Sequence, residues 1–347
     1  MARLYGFQKK DLIRVYENMM LARKLDEKMM ILLRQGKGFF HMACSGHEAA
    51  QLAAANTLNA GKDWSYPYYR DSAFSIAMGM TSKEQLQGFL AREDDPSSGG
   101  RQLPHHFSKR ELNIVTQSSA TGTQYLQAVG CAMACKFNKI KEVVYVSSGE
   151  GTTSQGDFHE ALNWSSREKI PVIFHVQDNE YAISVHISEQ TSGGSVFSMV
   201  SGYQNLGRFD VDGTDFFETH LAFKQAVGRA RKGKGPSVII SHVDRLKPHS
   251  SSDDHLKYRT KDEIEEIEKN DPILKFKNEC IANNVIKKEE FEKIEIKLKD
   301  QVDQDANWAE AQNHPEVDTA TNHLYSNEMP EGKNMTNTIN DKIVIVD

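Results

Sequence analysis

Two polar residues stand at places in the sequence where they could bind a cation together. Glu150 follows the apolar segment VVYVSSG, and Asn179 comes two residues after the next apolar segment, PVIFHVQ. Carboxylate and amide oxygens suit Mg²⁺, which prefers near-octahedral oxygen ligands and usually keeps substrate phosphates among them. The pair therefore indicates one of two things: a magnesium–diphosphate site, or two solvated polar residues at the ends of strands.

The glycines on either side of Glu150 form a GEG sequence that lets a ligand approach the backbone closely. A dinucleotide fingerprint, GxGxxG, needs a third glycine where this chain has Ser154, and the chain has no GK[ST] triplet for a nucleoside triphosphate. Further on, Asp157 and Glu160 have the spacing of residues that cap the following helix. The segment is compatible with a ligand-binding turn and with an ordinary turn that ends in a helix cap.

The elements around this segment predict how it is positioned. From about residue 121 the pattern alternates between helical segments and short apolar runs, namely helix GTQYLQAVGCAMACKF, strand VVYVSSG, helix DFHEALNWSSREK, strand PVIFHVQ, helix 216–231 and strand SVIISHV. Such alternation predicts an α/β fold with a parallel sheet buried on both faces. Ligands bind beyond the carboxyl ends of parallel strands, which is where Glu150 and Asn179 lie.

The rest of the chain divides by composition. Apolar residues recur every three or four positions over residues 11–34, which predicts an amphipathic helix. Residues 261–311 are highly charged with interspersed apolar residues, as expected of a helical C-terminal appendage. Residues 312–347 are a polar linker that ends in the strand-like hexapeptide KIVIVD. We therefore expect an α/β domain over residues 1–260, followed by the appendage and the linker.

Composition limits the class of protein. The 347 residues are 39% apolar and 26% charged with a net charge of −6, and no basic patch stands out, so we expect no nucleic-acid partner. The sequence shows neither a signal peptide nor an apolar run long enough to span a membrane. Its four cysteines have no CxxC spacing, which is typical of reduced thiols. We expect a cytoplasmic protein without membrane association.

A long segment of the sequence resembles a known family. GEGTTSQGDFHEALNWSSREKIPVIFHVQDNEYAIS is similar to the thiamine-diphosphate motif of the α subunits of 2-oxo-acid dehydrogenase complexes, and the similarity extends from the first helix to about residue 300. It passes through SYPYYRDSAFSIAMGM, GRQLPHHF, TQSSATGTQ and RLKPHSSSDDHLKYR. The resemblance implies the thiamine-diphosphate-binding fold, a parallel sheet flanked by helices.

Individual motifs resemble different branches of the family. GRQ-P-H, SS-TQ and the Glu at the centre of GEG are most similar to the 2-oxoisovalerate, or branched-chain, type. GFFHMACSGHEA is more similar to the pyruvate type. The resemblance thus favours a branched-chain 2-oxo acid as substrate, with the α subunit of a pyruvate or acetoin dehydrogenase as the alternative.

The resemblance also implies roles for individual residues. Magnesium is bound by the side chains of Glu150 and Asn179 and by the backbone carbonyl of Tyr181. The remaining implied cofactor contacts are Tyr69 and Arg70 at the diphosphate, together with Ser119, Thr121, Gly151 and Thr152. A structural potassium ion is implied at Ser118, Thr123 and Gln124. Asp178 and Glu180 stand where the family usually has Asn and Gly.

Three histidines are the implied proton carriers and substrate contacts, since imidazole titrates near neutral pH. His249 matches a histidine that lies at the cofactor near the reacting carbon. His106 matches a histidine beside the substrate carboxylate. His41 matches a position that is histidine in pyruvate-type members. We therefore take these three residues as candidate catalytic residues.

The implied activity is decarboxylation of a 2-oxo acid with transfer of the acyl group to lipoamide, and thiamine diphosphate performs the difficult chemistry. In the family, the carboxylate that activates the cofactor belongs to a β subunit or a fused β half, and no segment here resembles that half. The resemblance therefore implies a heterotetramer docked on a lipoyl acyltransferase core. The ending KIVIVD suggests the α half of a fusion cut at its junction, and a complete α subunit is the alternative.

Two other classes of function remain open on the sequence alone. A nicotinamide-dependent dehydrogenase could use the GEG turn, but it needs an acidic residue about twenty positions further on, where Glu168 falls inside a predicted helix. A noncatalytic binding protein is the other alternative. Binding of thiamine diphosphate with magnesium, as opposed to NAD, distinguishes these classes.

Overall fold

A five-stranded parallel sheet forms the centre of the protein, whose computed structural model describes residues 3–324. The strands are β1 Arg3–Leu4, β2 Phe7–Gln8, β3 Trp64–Tyr66, β4 Val144–Gly149, β5 Val172–Asp178, β6 Tyr181–Ala182, β7 Val185–His186, β8 Gly207–Asp212 and β9 Ser237–His242. The order in the sheet is β3-β4-β5-β9-β8, and every neighbouring pair is parallel. The other strands form two antiparallel hairpins, β1–β2 and β6–β7.

Helices cover both faces of the sheet. They are α1 Lys9–Arg34, α2 Glu48–Ala55, α3 Ser72–Ala77, α4 Ser82–Phe89, α5 Thr123–Phe137, α6 Gly156–Glu168, α7 Ile187–Gln190, α8 Val196–Met199, α9 Phe216–Arg231, α10 Lys261–Lys269, α11 Pro272–Ala282 and α12 Lys288–Glu310. Short 3₁₀ turns are found at Arg110–Leu112, Glu150–Ser154, Ser192–Gly194, Val200–Gly202, His255–Lys257 and Val317–Thr321. Two groups of buried apolar residues, one containing Tyr145 and the other Val146, include alternate residues of β4.

The predicted α/β fold with a parallel sheet is confirmed. Strands β4, β5 and β9 are buried almost throughout, and this explains why they read as continuous apolar runs in the sequence. The two outer strands were not predicted. Strand β3 has only three residues, and in β8 exposed and partly buried residues alternate at the edge of the sheet, so neither forms an apolar run.

The helix cap predicted at Asp157 is wrong. Helix α6 begins one residue earlier, at Gly156, and its N-cap residue is Gln155, which makes no side-chain capping bond. Asp157 therefore lies within the first turn. A carboxylate in this position still interacts favourably with the helix dipole, so the residue contributes charge without capping the helix.

Helix α1 is the longest helix of the fold and confirms the amphipathic helix predicted over residues 11–34. Its buried residues include Leu12, Tyr16 and Met19, spaced three or four positions apart. Helix α1 contacts α12 along this face and also contacts α2, α3 and α4. One acidic residue, Asp26, is buried in α1 as well, at 3% exposure. The helix therefore carries both an apolar face and one buried charge.

Two of the helices expected as a C-terminal appendage, α11 and α12, pack on α1. In α12, the Phe291 ring lies edge-on to Tyr16 with 4.4 Å between ring centroids, and the Tyr16 hydroxyl donates to Glu295 at 2.6 Å. These helices belong to a compact unit that extends to His314. A second, short unit begins at Pro315, and the KIVIVD hexapeptide lies outside the described residues.

All four cysteines are free, as expected of reduced thiols. Cys131 and Cys135 lie one turn apart on α5, and Cys135 is buried while Cys131 is partly exposed. None of the helices between residues 3 and 324 has the length and apolar character needed to cross a lipid bilayer.

Truncation of Phe291 tests how much α12 contributes to the fold. Because the ring is fully buried against Tyr16, we expect Phe291→Ala to lower the free energy of unfolding by about 3–5 kcal/mol in urea titrations followed by circular dichroism. Ile296 of the same helix is 63% exposed, so the matched variant Ile296→Ala should change the free energy of unfolding by no more than about 0.5 kcal/mol. Equal effects of the two variants would show that α12 does not depend on this contact.

Candidate active site

A cavity of about 420 Å³ opens at the carboxyl ends of β4 and β5. Most residues predicted for the site line it, namely Tyr69, Arg70, His106, Ser119, Thr121, Glu150, Gly151, Thr152, Asn179, Tyr181 and His249. They come from segments that are far apart in sequence, and the ends of the parallel strands bring them to one edge of the sheet. The volume suits a ligand the size of a cofactor.

Glu150 and Asn179 are neighbours, as the sequence predicts. Strands β4 and β5 pair in register with Gly149 opposite Gln177, so both chains leave the sheet at the same level. The backbone N–H of Asn179 donates to the Glu150 carboxylate at 3.2 Å. The Oδ1 atom of Asn179 is buried and has no hydrogen-bond partner. A buried acceptor without a donor, beside a buried carboxylate, is a suitable place for a cation.

The environment of Glu150 disfavours the ionised form of its carboxyl group. Burial, together with the nearby carboxylate of Asp178, raises the pKa of Glu150 to about 7. A bound cation would offset both effects. Within residues 3–324 no group of three or more His, Cys, Asp and Glu side chains is arranged to hold a metal. A cation here would therefore need oxygen atoms from Asn179, from the backbone and from a ligand, which fits magnesium bound to a diphosphate.

The loop after β5, which carries Asn179, contains an unusual backbone conformation at the next residue. Glu180 has φ = +68°, a left-handed value that L side chains rarely adopt. Its N–H donates to the Asp178 carboxylate at 3.0 Å, and its carbonyl accepts from Ile187 N–H at 2.8 Å. The carbonyl of Tyr181, predicted to bind magnesium, accepts from Arg245 at 3.4 Å. Contacts from other elements thus fix the shape of this loop.

Arg70, on the cavity wall, is only 1% exposed. Its guanidinium donates to the carbonyl oxygens of Ala43 at 2.6 Å and His249 at 3.2 Å, and it lies 5.3 Å from the centre of the Tyr69 ring. These bonds use two of its five N–H groups. The planar fork is therefore held rigidly and keeps donors suited to phosphate oxygens.

Two further arginines, Arg245 and Arg259, lie behind the cavity wall and were not predicted. All three buried guanidinium groups donate to backbone carbonyl oxygens, namely those of Ala43, Asn179, Tyr181, Ile183, Arg245 and His249. Within the described residues none of the three forms an ion pair with a carboxylate. Burial and the neighbouring Arg70 lower the pKa of Arg245 to about 10. The site therefore keeps a positive charge that a ligand anion could neutralise.

His249 is a neutral imidazole in this environment. Burial and the positive charges of Arg70 and Arg245 lower the pKa of His249 to about 3. Its Nδ1 atom lies 3.5 Å from the Arg245 guanidinium, which places the ring proton on Nε2. With Nδ1 facing Arg245, the Nε2–H group is left to donate to a ligand, as expected of a group near the reacting atoms.

His106 is held by two hydrogen bonds on the opposite part of the cavity wall. Its Nδ1 atom lies 2.8 Å from the Leu103 carbonyl, and its Nε2 atom lies 2.8 Å from the Ser119 hydroxyl. The carbonyl can only accept, so Nδ1 carries the proton and Nε2 accepts from Ser119. The side chain therefore has a defined orientation.

His41 does not line the cavity. It is 1% exposed behind the wall, where its ring contacts Asp26 and His105. The three residues predicted to hold potassium also lie outside the cavity lining, close to one another. The hydroxyls of Ser118 and Thr123 are 2.7 Å apart, and the Gln124 side chain accepts from Gly122 N–H at 2.9 Å.

Sequence reasoning also missed the apolar part of the wall. Its members are Phe40, Met42, Leu103, Pro104 and Ile183. They come from three separate loops, so no periodic pattern marks them in the sequence. Together they give one side of the cavity an apolar surface next to the histidines.

Comparisons with known proteins identify the family of the chain. Residues 16–318 match the family described as "Dehydrogenase E1 component". The "2-oxoisovalerate dehydrogenase subunit alpha" of Bacillus subtilis (strain 168) is 43% identical over 271 residues, which cover 78% of this chain and 82% of the relative. The "3-methyl-2-oxobutanoate dehydrogenase subunit alpha" of Mycobacterium tuberculosis (strain CDC 1551 / Oshkosh) is 35% identical, with 76% and 68% covered.

A relative of the pyruvate type is similar to the same degree. The "Pyruvate dehydrogenase E1 component subunit alpha" of Staphylococcus aureus (strain Mu50 / ATCC 700699) is 35% identical over 267 residues, which cover 77% of this chain and 69% of the relative. A family match over most of the chain and relatives of this identity leave one assignment. The chain belongs to the dehydrogenase E1 component family.

Proposed function

We propose that this chain is the α subunit of the component that decarboxylates a 2-oxo acid with thiamine diphosphate and magnesium and passes the acyl group to lipoamide. The observation that carries the proposal is the pairing of Glu150 with the unpartnered Oδ1 of Asn179 in the same cavity as Arg70. This arrangement offers a cation site and an anion site side by side. A magnesium diphosphate requires both.

Each part of the cavity has a task in this proposal. Bound thiamine diphosphate supplies the nucleophilic carbon and the electron acceptor that decarboxylation needs. Glu150 and Asn179 hold the magnesium ion with the Tyr181 carbonyl, and Arg70 binds the diphosphate with Tyr69. Further cofactor contacts come from Ser119, Thr121, Gly151 and Thr152, all of which line the cavity.

The two cavity histidines act on the substrate side. His249 is neutral and carries its proton on Nε2, so it can transfer a proton near the reacting carbon. His106 is oriented by Ser119 and faces the substrate carboxylate. A potassium ion at Ser118, Thr123 and Gln124 would stabilise the segment that carries Ser119.

The substrate that we propose is a branched-chain 2-oxo acid. The apolar wall formed by Phe40, Leu103 and Ile183 suits an apolar acyl group, and the two relatives named for 2-oxoisovalerate and 3-methyl-2-oxobutanoate support this choice. Pyruvate is the second candidate, because a pyruvate dehydrogenase α subunit is also 35% identical. An assay with both acids distinguishes them.

A partner completes the site in this proposal. Leu103 and Ile183 are more than half exposed although they line the cavity, so the apolar rim is available to a second protein. We assign that role to a β subunit or a β half, which would supply the activating carboxylate, with a lipoyl acyltransferase as the acceptor of the acyl group. Such an assembly would act in the cytoplasm.

The first test is the activity of the assembled enzyme. With magnesium and thiamine diphosphate, the purified chain alone should release no CO₂ from 2-oxoisovalerate, and addition of the β subunit should give steady turnover because the activating carboxylate is then present. The kcat/KM for 2-oxoisovalerate should exceed that for pyruvate. Steady turnover by the chain alone would contradict the proposed division of labour.

Glu150→Gln tests the cation site with nearly unchanged shape. We expect it to weaken thiamine-diphosphate binding in the presence of magnesium by roughly a hundredfold, measured by calorimetry, because the neutral amide lacks the negative charge that the carboxylate offers to the cation. Asn179→Ala should act in the same direction. Glu160→Gln, an exposed position on α6, is the matched control and should bind as the wild type does. Normal binding by Glu150→Gln would remove the residue from the cation site.

His249→Ala separates turnover from binding. The variant keeps the backbone carbonyl that Arg70 contacts, so cofactor affinity should stay within about twofold while kcat falls about a hundredfold or more in the assembled enzyme. His255→Ala, in the same loop but away from the cavity lining, is the control and should leave both quantities unchanged. Lost affinity with an unchanged kcat at saturation would contradict the assigned role.

A further inference from the structure

A row of three buried polar side chains lies behind the cavity wall. The Oδ1 atom of Asp26 in α1 is 3.2 Å from His41 Nε2, and His41 Nδ1 is 2.9 Å from His105 Nε2. The three residues are 3%, 1% and 7% exposed. None of them lines the cavity, but His105 directly precedes His106, which does.

The contacts of this row fix one arrangement of protons for a neutral His41. The Oδ2 atom of Asp26 accepts from the Ser45 backbone N–H at 2.9 Å and from the Ser45 hydroxyl at 2.7 Å. Burial opposes ionisation, but the bonds from His41 and Ser45 leave the pKa of Asp26 below its ordinary value. The ionised carboxylate can only accept, so a neutral His41 carries its proton on Nε2, facing Asp26, and accepts at Nδ1 from His105.

The row connects two loops that carry the cavity histidines. His105 has φ = +69°, a strained value for a side chain with a Cβ, and the bond to His41 holds it there. The backbone of His41 is joined to Ser251, because His41 N–H donates to its hydroxyl at 3.2 Å and Ser251 N–H donates to the His41 carbonyl at 2.8 Å. Ser251 is two residues from His249. His41 therefore contacts both loops.

We propose that Asp26, His41 and His105 are positioning residues that fix the loop of His106 against the rigid helix α1 and so set how the 2-oxo acid is bound. This inference rests on the proposed function and extends it to residues that touch neither cofactor nor substrate. A buried polar row costs more than an apolar one unless every member is satisfied. Because hydrogen bonds are directional, this row fixes the orientation of the loop in a way that apolar packing would not.

A pair of variants at His105 separates the hydrogen bond from packing. Gln can still donate to His41 Nδ1, whereas Leu fills similar space without a donor, and both meet the same backbone strain. In the enzyme assembled with its β subunit, His105→Leu should lower kcat/KM for 2-oxoisovalerate about tenfold, chiefly through KM, with thiamine-diphosphate affinity within about twofold. His105→Gln should retain kcat/KM within about twofold. Equal losses in both variants, or none in His105→Leu, would overturn the proposal.

The proton arrangement has a readout that does not depend on activity. With ¹⁵N-histidine labelling of the full chain, His41 Nε2 should show the shift of a protonated ring nitrogen and Nδ1 that of an unprotonated one. In Asp26→Asn the amide oxygen still accepts from Ser45 N–H, so the amide NH₂ must face His41. His41 Nε2 should then be unprotonated and Nδ1 protonated, the reverse of the wild type. The His41 signals are assigned by their loss in His41→Gln.

The outcomes of the two experiments are separable. An unprotonated Nε2 of His41 in the wild type would overturn the positioning row, whatever the enzyme does. A wild-type assembly that decarboxylates no 2-oxo acid would instead contradict the proposed function while leaving the nitrogen signals as expected.

Discussion

The in-register pairing of β4 with β5 is the constraint on which the site depends. Because Gly149 lies opposite Gln177, the two chains leave the sheet together, and Glu150 and Asn179, the first residues beyond the two strands, come to lie side by side. The other residues of the site provide groups that offset the burial of the Glu150 carboxylate. A carboxylate buried at the end of a parallel sheet must be offset by donors, by positive charge or by a bound cation.

The charges of the site are kept apart rather than paired. The three buried arginines donate to backbone carbonyls, so their hydrogen-bonding needs are met while their charge is not neutralised by a carboxylate of the described chain. Glu150 and Asp178 form the negative part, in which the Asp178 carboxylate disfavours the charge of Glu150. A ligand that carries a cation bound to an anion neutralises both parts at once. This match is the physical basis of the proposed magnesium-diphosphate site.

Sequence alone predicts the parts of this arrangement that are encoded locally. Apolar runs mark β4, β5 and β9, and the polar residues that follow two of them give the pair Glu150 and Asn179. The arginines at 245 and 259 could not be assigned in this way, because their partners are backbone carbonyls far away in sequence. The edge strands β3 and β8 lack an apolar run for the reasons of length and exposure given above. His41 matched a family position, but only the tertiary structure shows that it contacts Asp26 and His105 and does not line the cavity.

The left-handed backbone at Glu180 has a consequence for how the proposed cation site is organised. The family usually has glycine at this position, and glycine adopts such a conformation without steric cost, whereas a residue with a Cβ pays about 1–2 kcal/mol. The loop must therefore draw its order from neighbours: Asp178, the N–H of Ile187 and the guanidinium of Arg259. Glycine at this position would allow the unfolded chain more backbone conformations, whereas glutamate allows it fewer. With glutamate in place of glycine, the surrounding residues hold the loop in one conformation before a ligand binds. Less ordering of the loop therefore remains to be done on binding.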